Sequence, residues 1–121
     1  MDKLKILYVE DDEGTREIMQ LQFKREFSDV LAAGDGKEAL EIYNKDKPDV
    51  VITDLSMPVM SGFEMIEIIR SMDKDIPIIV ISAYREEAEN LDVQGVMVKP
   101  VLYTDITDCL ADMFGLKKDS D

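Results

Sequence analysis

The chain has 121 residues, 45% of them hydrophobic and 34% charged, a balance that fits one soluble globular domain and argues against disorder. Its 27 acidic and 14 basic residues give a formal net charge of −13, which excludes the clustered positive surface of a nucleic-acid binder and suits a cationic ligand or a basic partner face. No apolar stretch approaches the ~20 residues needed to span a bilayer, Met1 to Lys5 lacks the apolar segment of a signal peptide, and the single Cys109 makes no internal disulfide, so a reducing cytoplasm is the simplest setting.

Apolar runs of strand length alternate with longer amphipathic stretches. Leu4 to Val9 reads as a first strand, and Thr15 to Phe27 as a helix with Met19, Phe23 and Phe27 on one face. A short strand, Val30 to Ala33, leads through Gly34-Asp35-Gly36 to a helix from Lys37 to Lys45 that buries Ala39, Leu40 and Tyr43. Pro48-Asp49 breaks that helix before a third strand, Val50 to Thr53. The loop from Asp54 to Ser61 opens a helix from Gly62 to Met72, with Met65, Ile66 and Ile69 inward. Pro77 introduces a fourth strand, Ile78 to Ile81, and Val96 to Val98 is a short fifth. The last helix, Leu102 to Phe114, carries Ile106, Cys109, Leu110 and Met113 at helical spacing. The core spans about 3–115, 116–121 reads as a polar tail, and no repeat or second domain is visible.

Strands alternating with helices imply a parallel sheet covered on both faces, and the unbroken apolar runs of strands three, four and five predict burial on both sides. Right-handed crossovers place every strand end that precedes a helix on one edge, where such sheets bind ligands. Two runs end there in acid: Ile6-Leu7-Tyr8-Val9 meets Glu10-Asp11-Asp12, and Val50-Val51-Ile52-Thr53 meets Asp54. Acids at the mouth of a buried strand need a charged partner, because an unpaired buried charge is costly. Ser82 after the fourth strand and Lys99-Pro100 after the fifth supply a hydroxyl and an ammonium on the same edge. An oxygen-rich site of this kind favours Mg²⁺, held by Asp11 and Asp54 with Glu10 direct or through water. A carboxylate kept ionised there can attack phosphorus to form an acyl phosphate, with Lys99 neutralising the equatorial oxygens and Ser82 donating a hydrogen bond.

Taken singly, each signal has a plainer reading. An acidic triplet before a helix is favourable at the helix N-terminus, Ser82 would cap the segment starting at Tyr84 or Arg85, and Lys99 would be a surface lysine. Cys109 sits on an apolar stripe as a core thiol. Their convergence on one edge outweighs those readings.

The string Ile6 to Asp12, the run Asp54-Leu55-Ser56-Met57-Pro58-Val59-Met60-Ser61-Gly62, Ser82-Ala83 and Lys99-Pro100 together resemble the receiver domain of two-component response regulators, over almost the whole chain. The resemblance implies a flavodoxin-like (βα)5 fold, α/β with a doubly wound five-stranded parallel sheet, forming one receiver domain over 1–121. It implies that Asp54 is the phosphoacceptor, loaded by a histidine kinase or a histidine phosphotransfer protein. Mg²⁺ would be held by Glu10, Asp11, Asp54 and the backbone carbonyl of Ser56, with Asp12 an extra acid. Ser82 takes the place of the family's switch hydroxyl and Lys99 of its lysine, with a cis Lys99-Pro100 bond. Such a module signals by an altered partner-binding surface and is not an enzyme in its own right. It neither contacts nucleic acid directly nor inserts into a membrane.

Two positions depart from the family pattern. Val96 stands three residues before Lys99, where an aromatic switch residue is usual. Only 16 residues separate Ser82 from Lys99, so the fourth helix is shortened, and Arg85 to Leu91 can make about two turns at most. An aspartyl phosphatase is the competing enzyme reading, but such enzymes commonly place an acid two residues after the nucleophile, and here Ser56 stands there. A receiver relative that has lost its chemistry is the competing interaction-module reading, and the intact acids, Ser82 and Lys99 speak against it. No Gly-x-x-x-x-Gly-Lys-Ser/Thr string occurs, which removes a P-loop nucleotidase.

Overall fold

A computed structural model describes residues 3–116; of the polar tail expected at 116–121, Leu116 packs against the core and 117–121 lie outside the described residues. Five parallel strands, β1 (Lys5–Val9), β2 (Asp29–Ala33), β3 (Val50–Asp54), β4 (Ile78–Ser82) and β5 (Gly95–Val98), form one sheet in the order β2-β1-β3-β4-β5. Four α-helices, α1 (Glu13–Glu26), α2 (Gly36–Asp46), α3 (Gly62–Met72) and α4 (Tyr103–Phe114), pack on its faces. Between β4 and β5 the shortened fourth helix is a single 3-10 turn, Arg85–Ala88.

Alternation along each strand explains the two layers. Leu7, Val9, Val51, Ile78 and Val80 face one side, where Ala39 and Tyr43 of α2 and Met65, Ile66 and Ile69 of α3 cover them. Ile6, Tyr8, Val50, Ile52, Ile79 and Ile81 face the other, against Phe23 of α1, Phe27 at its end, and Ile106 and Leu110 of α4. Edge-to-face ring contacts join Phe23 to Tyr8, Phe27 and Tyr103 at centroid separations of 5.6, 6.2 and 5.3 Å. Each fully buried aliphatic residue here stabilises the fold by about 1.5–3 kcal/mol.

All five residues of β3 and of β4 are buried, as their continuous apolar runs predict. The same reading fails for β5. It is the edge strand, paired to β4 alone, and its four residues are all only partly buried. A short apolar run cannot reveal whether a further strand lies beyond it, and among the described residues none does.

Helix starts are set by side-chain caps. Asp12, Asp35 and Ser61 accept from the backbone N–H groups of Thr15, Glu38 and Glu64 and so begin α1, α2 and α3. Asp12 is thus more than an extra acid: its cap starts α1 at Glu13, two residues earlier than the periodicity predicts. Gly62 opens α3 against the backbone of Asp54, where a Cβ would collide with the Asp54 carbonyl oxygen, and its N–H donates to Leu55 at 2.9 Å. The loop from Leu55 to Ser61 is therefore closed at its base, with the start of α3 held against the end of β3. Among the described residues no helix is long and apolar enough to cross a membrane.

Candidate functional site at the carboxyl edge of the sheet

The winding direction reverses between β1 and β3, so the chain leaves their ends toward opposite sides and opens a crevice there. Val9 pairs with Thr53, which sets Glu10 and Asp54 side by side just beyond the ladder. Carboxylate oxygens of Glu10, Asp11 and Asp54 lie within 4.8 Å of one another. Glu10 is 6% exposed and Asp54 3%. Lys99, arriving from the end of β5, donates from Nζ to Asp54 Oδ2 at 2.7 Å. The Lys99-Pro100 bond is cis.

Asp54 is held on both oxygens. Its Oδ1 accepts from the amides of Leu55 at 2.7 Å and Ser56 at 3.3 Å, leaving Oδ2 toward Lys99. Of Ser56, it is the amide that reaches this carboxylate. Burial pushes the Glu10 carboxyl above the ordinary glutamate range; the Asp12 amide, donating to it at 3.0 Å, opposes that shift, and the nearby Asp54 adds to it. The Lys99 ammonium is held above the usual lysine value, chiefly by its hydrogen bond to Asp54. Three carboxylates against one ammonium leave two formal negative charges uncompensated. A hard divalent cation matches that deficit and that all-oxygen donor set.

Two residues that sequence reasoning passed over shape this edge. Arg16 of α1 donates from Nη1 to the Glu10 carbonyl at 2.7 Å and to the Asp11 carbonyl at 3.4 Å, pinning the acidic loop by its backbone. Its spacing from the acids gave no signal, because the contact is to main chain. Tyr8, two residues before Glu10, lines an open cavity of about 530 Å³ beside the acids together with Thr15, Met19, Lys99 and Val101. Burial, and then the charges of Glu10 and Asp54, push its phenol well above the usual tyrosine value.

Ser82 is placed at the same edge, 1% exposed at the end of β4. Its hydroxyl, however, is engaged within its own turn. It accepts from the Tyr84 N–H at 3.1 Å and faces the Tyr84 carbonyl and the Glu87 carboxylate. The bond to Tyr84 closes a local turn in place of the expected helix cap; the 3-10 turn has no side-chain cap. Val96 packs among the partly buried apolar residues of the α2–α3 layer.

This edge, with acids just after β1 and at the end of β3, a hydroxyl at the end of β4 and a lysine just after β5, has the layout of a phosphoryl-accepting signalling domain. The chain belongs to the response regulator receiver domain family, whose sequence pattern matches residues 6–111. It is 31% identical over 118 residues to sporulation initiation phosphotransferase F of Bacillus subtilis (strain 168), a match that covers 93% of this chain and 95% of that protein. It is 35% identical over 102 residues to Regulator of RpoS of Escherichia coli (strain K12), covering 80% of this chain but only 30% of that longer protein. Among solved structures, response regulator protein TrrA of Thermotoga maritima, in complex with Mg²⁺-BeF, aligns with a TM-score of 0.82 at 28% identity, over 92% of this chain and 99% of that one. The chain is therefore a two-component phosphoacceptor module on a flavodoxin-like fold, of the class that receives phosphoryl groups from histidine kinases or phosphotransfer proteins.

Proposed function

We propose that Asp54 is the acceptor residue, and the observation that carries this reading is the Lys99 Nζ contact to its Oδ2 at 2.7 Å beside Glu10 and Asp11. An Asp54 carboxylate oxygen attacks the phosphorus of a phosphohistidine. The O–P bond forms, the P–N bond breaks, and the imidazole nitrogen leaves with the electron pair. The Leu55 and Ser56 amides orient the carboxylate, and the Lys99 ammonium offsets charge on the phosphoryl oxygens. Glu10, Asp11 and Asp54, with the Ser56 carbonyl, would hold Mg²⁺, which when bound balances the acids and the incoming phosphoryl charge. Ser82 donates a hydrogen bond from its hydroxyl to a phosphoryl oxygen once Asp54 is modified.

In this reading residues 1–121 form one cytoplasmic receiver that switches a partner-binding surface and carries no turnover activity of its own. Ser56, two residues after Asp54, offers no acid to protonate a leaving alcohol, which supports a switch over a phosphatase. The test is incubation with Mg²⁺ and a small acyl phosphate, followed by intact mass and adduct chemistry. One phosphoryl group is expected, stable in acid and labile in base, and absent from Asp54→Asn and after chelation. An unchanged mass, or an adduct that survives Asp54→Asn, contradicts the assignment; multiple turnover on phosphomonoesters would point to the enzyme reading instead.

A further inference from the structure

Ser82 has one hydroxyl hydrogen and two acceptors for it, the Tyr84 carbonyl at 2.8 Å and the Glu87 carboxylate. A bond to a carboxylate is the stronger kind, so the hydroxyl donates its hydrogen bond to Glu87. Glu87 belongs to the 3-10 turn Arg85–Ala88, which lies exposed except for Ala88. Ala88 packs into the α2–α3 layer, and Glu87 ties the turn to the end of β4 through Ser82. Asp54 pairs in register with Ile81, so Ser82 is the next residue along the neighbouring strand. Adjacent strands are about 4.8 Å apart, so the two residues stand next to each other at the ends of β3 and β4.

We infer that Glu87 is a positioning residue that latches the Ser82 hydroxyl in the unmodified protein, and that a phosphoryl group on Asp54 releases it. This rests on the reading of Asp54 as acceptor and of Ser82 as the hydroxyl that meets the phosphoryl group. A phosphoryl oxygen competes for the same single proton, and its negative charge repels the Glu87 carboxylate. The exchange moves one hydrogen bond and breaks no covalent bond. Once released, the Arg85–Ala88 turn loses its side-chain tie to the end of β4 while Ala88 stays packed, so the state of Asp54 is passed to an exposed segment.

The test compares wild type, Glu87→Ala, Glu87→Gln, Ser82→Ala and the double variant Ser82→Ala/Glu87→Ala. With Mg²⁺ and a small acyl phosphate, Glu87→Ala accepts phosphate about three- to tenfold faster, the size of one competing hydrogen bond. That gain disappears in the Ser82→Ala background. Glu87→Gln, whose amide oxygen accepts only the weaker neutral bond from Ser82, falls between wild type and Glu87→Ala. If Glu87→Gln is as fast as Glu87→Ala, charge repulsion explains the effect and the latch is overturned. A Glu87→Ala gain that persists without the Ser82 hydroxyl overturns it as well. A second arm needs no donor: amide exchange of Arg85–Ala88 in the unmodified protein should quicken in Glu87→Ala and slow part of the way back in Glu87→Gln. Equal exchange in wild type and Glu87→Ala contradicts the latch even where Asp54 is phosphorylated normally. Faster exchange with no adduct on any variant supports the latch and places the failure in the acceptor assignment.

Discussion

Asp54 and Ser82 end neighbouring strands, yet they stand in differently built surroundings. On the β1–β3 side the strands are almost wholly buried, Asp54 is bonded on both carboxylate oxygens, and Arg16 pins the acidic loop by its carbonyls. On the β4–β5 side the outer strand is an edge with four partly exposed residues, and the connection to it is one 3-10 turn. Fixing a reacting carboxylate favours chemistry, because electrostatic help costs no rearrangement when it is already in place. A reporter must instead be able to move, and moving elements come from the low end of local stability. The domain divides those tasks between two halves of one sheet edge.

Core truncation should expose that division most strongly. Ile52→Ala, at a fully buried position of β3, is expected to cost about 3–4 kcal/mol in urea unfolding, whereas Val96→Ala on the edge strand should cost only about 1 kcal/mol. Equal losses would mean that the two halves are packed alike. Next in size, Lys99→Ala should slow acyl-phosphate acceptance about a hundredfold while leaving the fold intact by circular dichroism. A rate within twofold of wild type would remove the lysine from the chemistry.

Smaller effects probe how the acceptor half is held. Asp12→Ala removes the cap of α1, whose oxygen accepts from the Thr15 amide at 2.8 Å and its hydroxyl at 2.6 Å, and should cost about 1 kcal/mol. Val59 has φ 67° and is 77% exposed in the loop after β3. A β-branched residue is strained in that left-handed region. Val59→Gly is therefore expected to raise stability by roughly 0.5–1 kcal/mol, read as a higher urea midpoint at unchanged slope. A lower midpoint would show that the valine side chain contributes more than its backbone strain takes away.

Much of this was legible in the sequence for a physical reason. The continuous apolar runs of strands three, four and five fit strands buried on both faces, which holds for β3 and β4 and fails for β5, and residues just past strands that precede helices must share an edge. That brought Glu10, Asp11, Asp54, Ser82 and Lys99 into one neighbourhood before any coordinates. What stayed hidden depended on contacts that spacing does not encode. Three successive acids could each cap α1 or face the crevice, and only the backbone path gives the cap to Asp12. The edge position of β5 depends on sheet order, which four apolar-looking residues do not carry. Ser82 meets Glu87 five positions on, through a bend and a 3-10 turn, a spacing with no periodic signature. Arg70 shows the same limit: from α3 it donates to the carbonyls of Asp73, Ile76 and Asp92 and to Gln94 Oε1, bracing the far end of β4 and β5 through main-chain contacts.

The division between a fixed acceptor and a yielding reporter is tested most directly by residue-resolved amide exchange with and without Mg²⁺ and beryllofluoride, a phosphoryl mimic. The account predicts faster exchange across Arg85–Ala88 and altered exchange in Gly95–Val98, with Lys5–Val9 and Val50–Asp54 unchanged. Unchanged exchange at Arg85–Ala88, with the response concentrated in β1, β3 or α1, would contradict it.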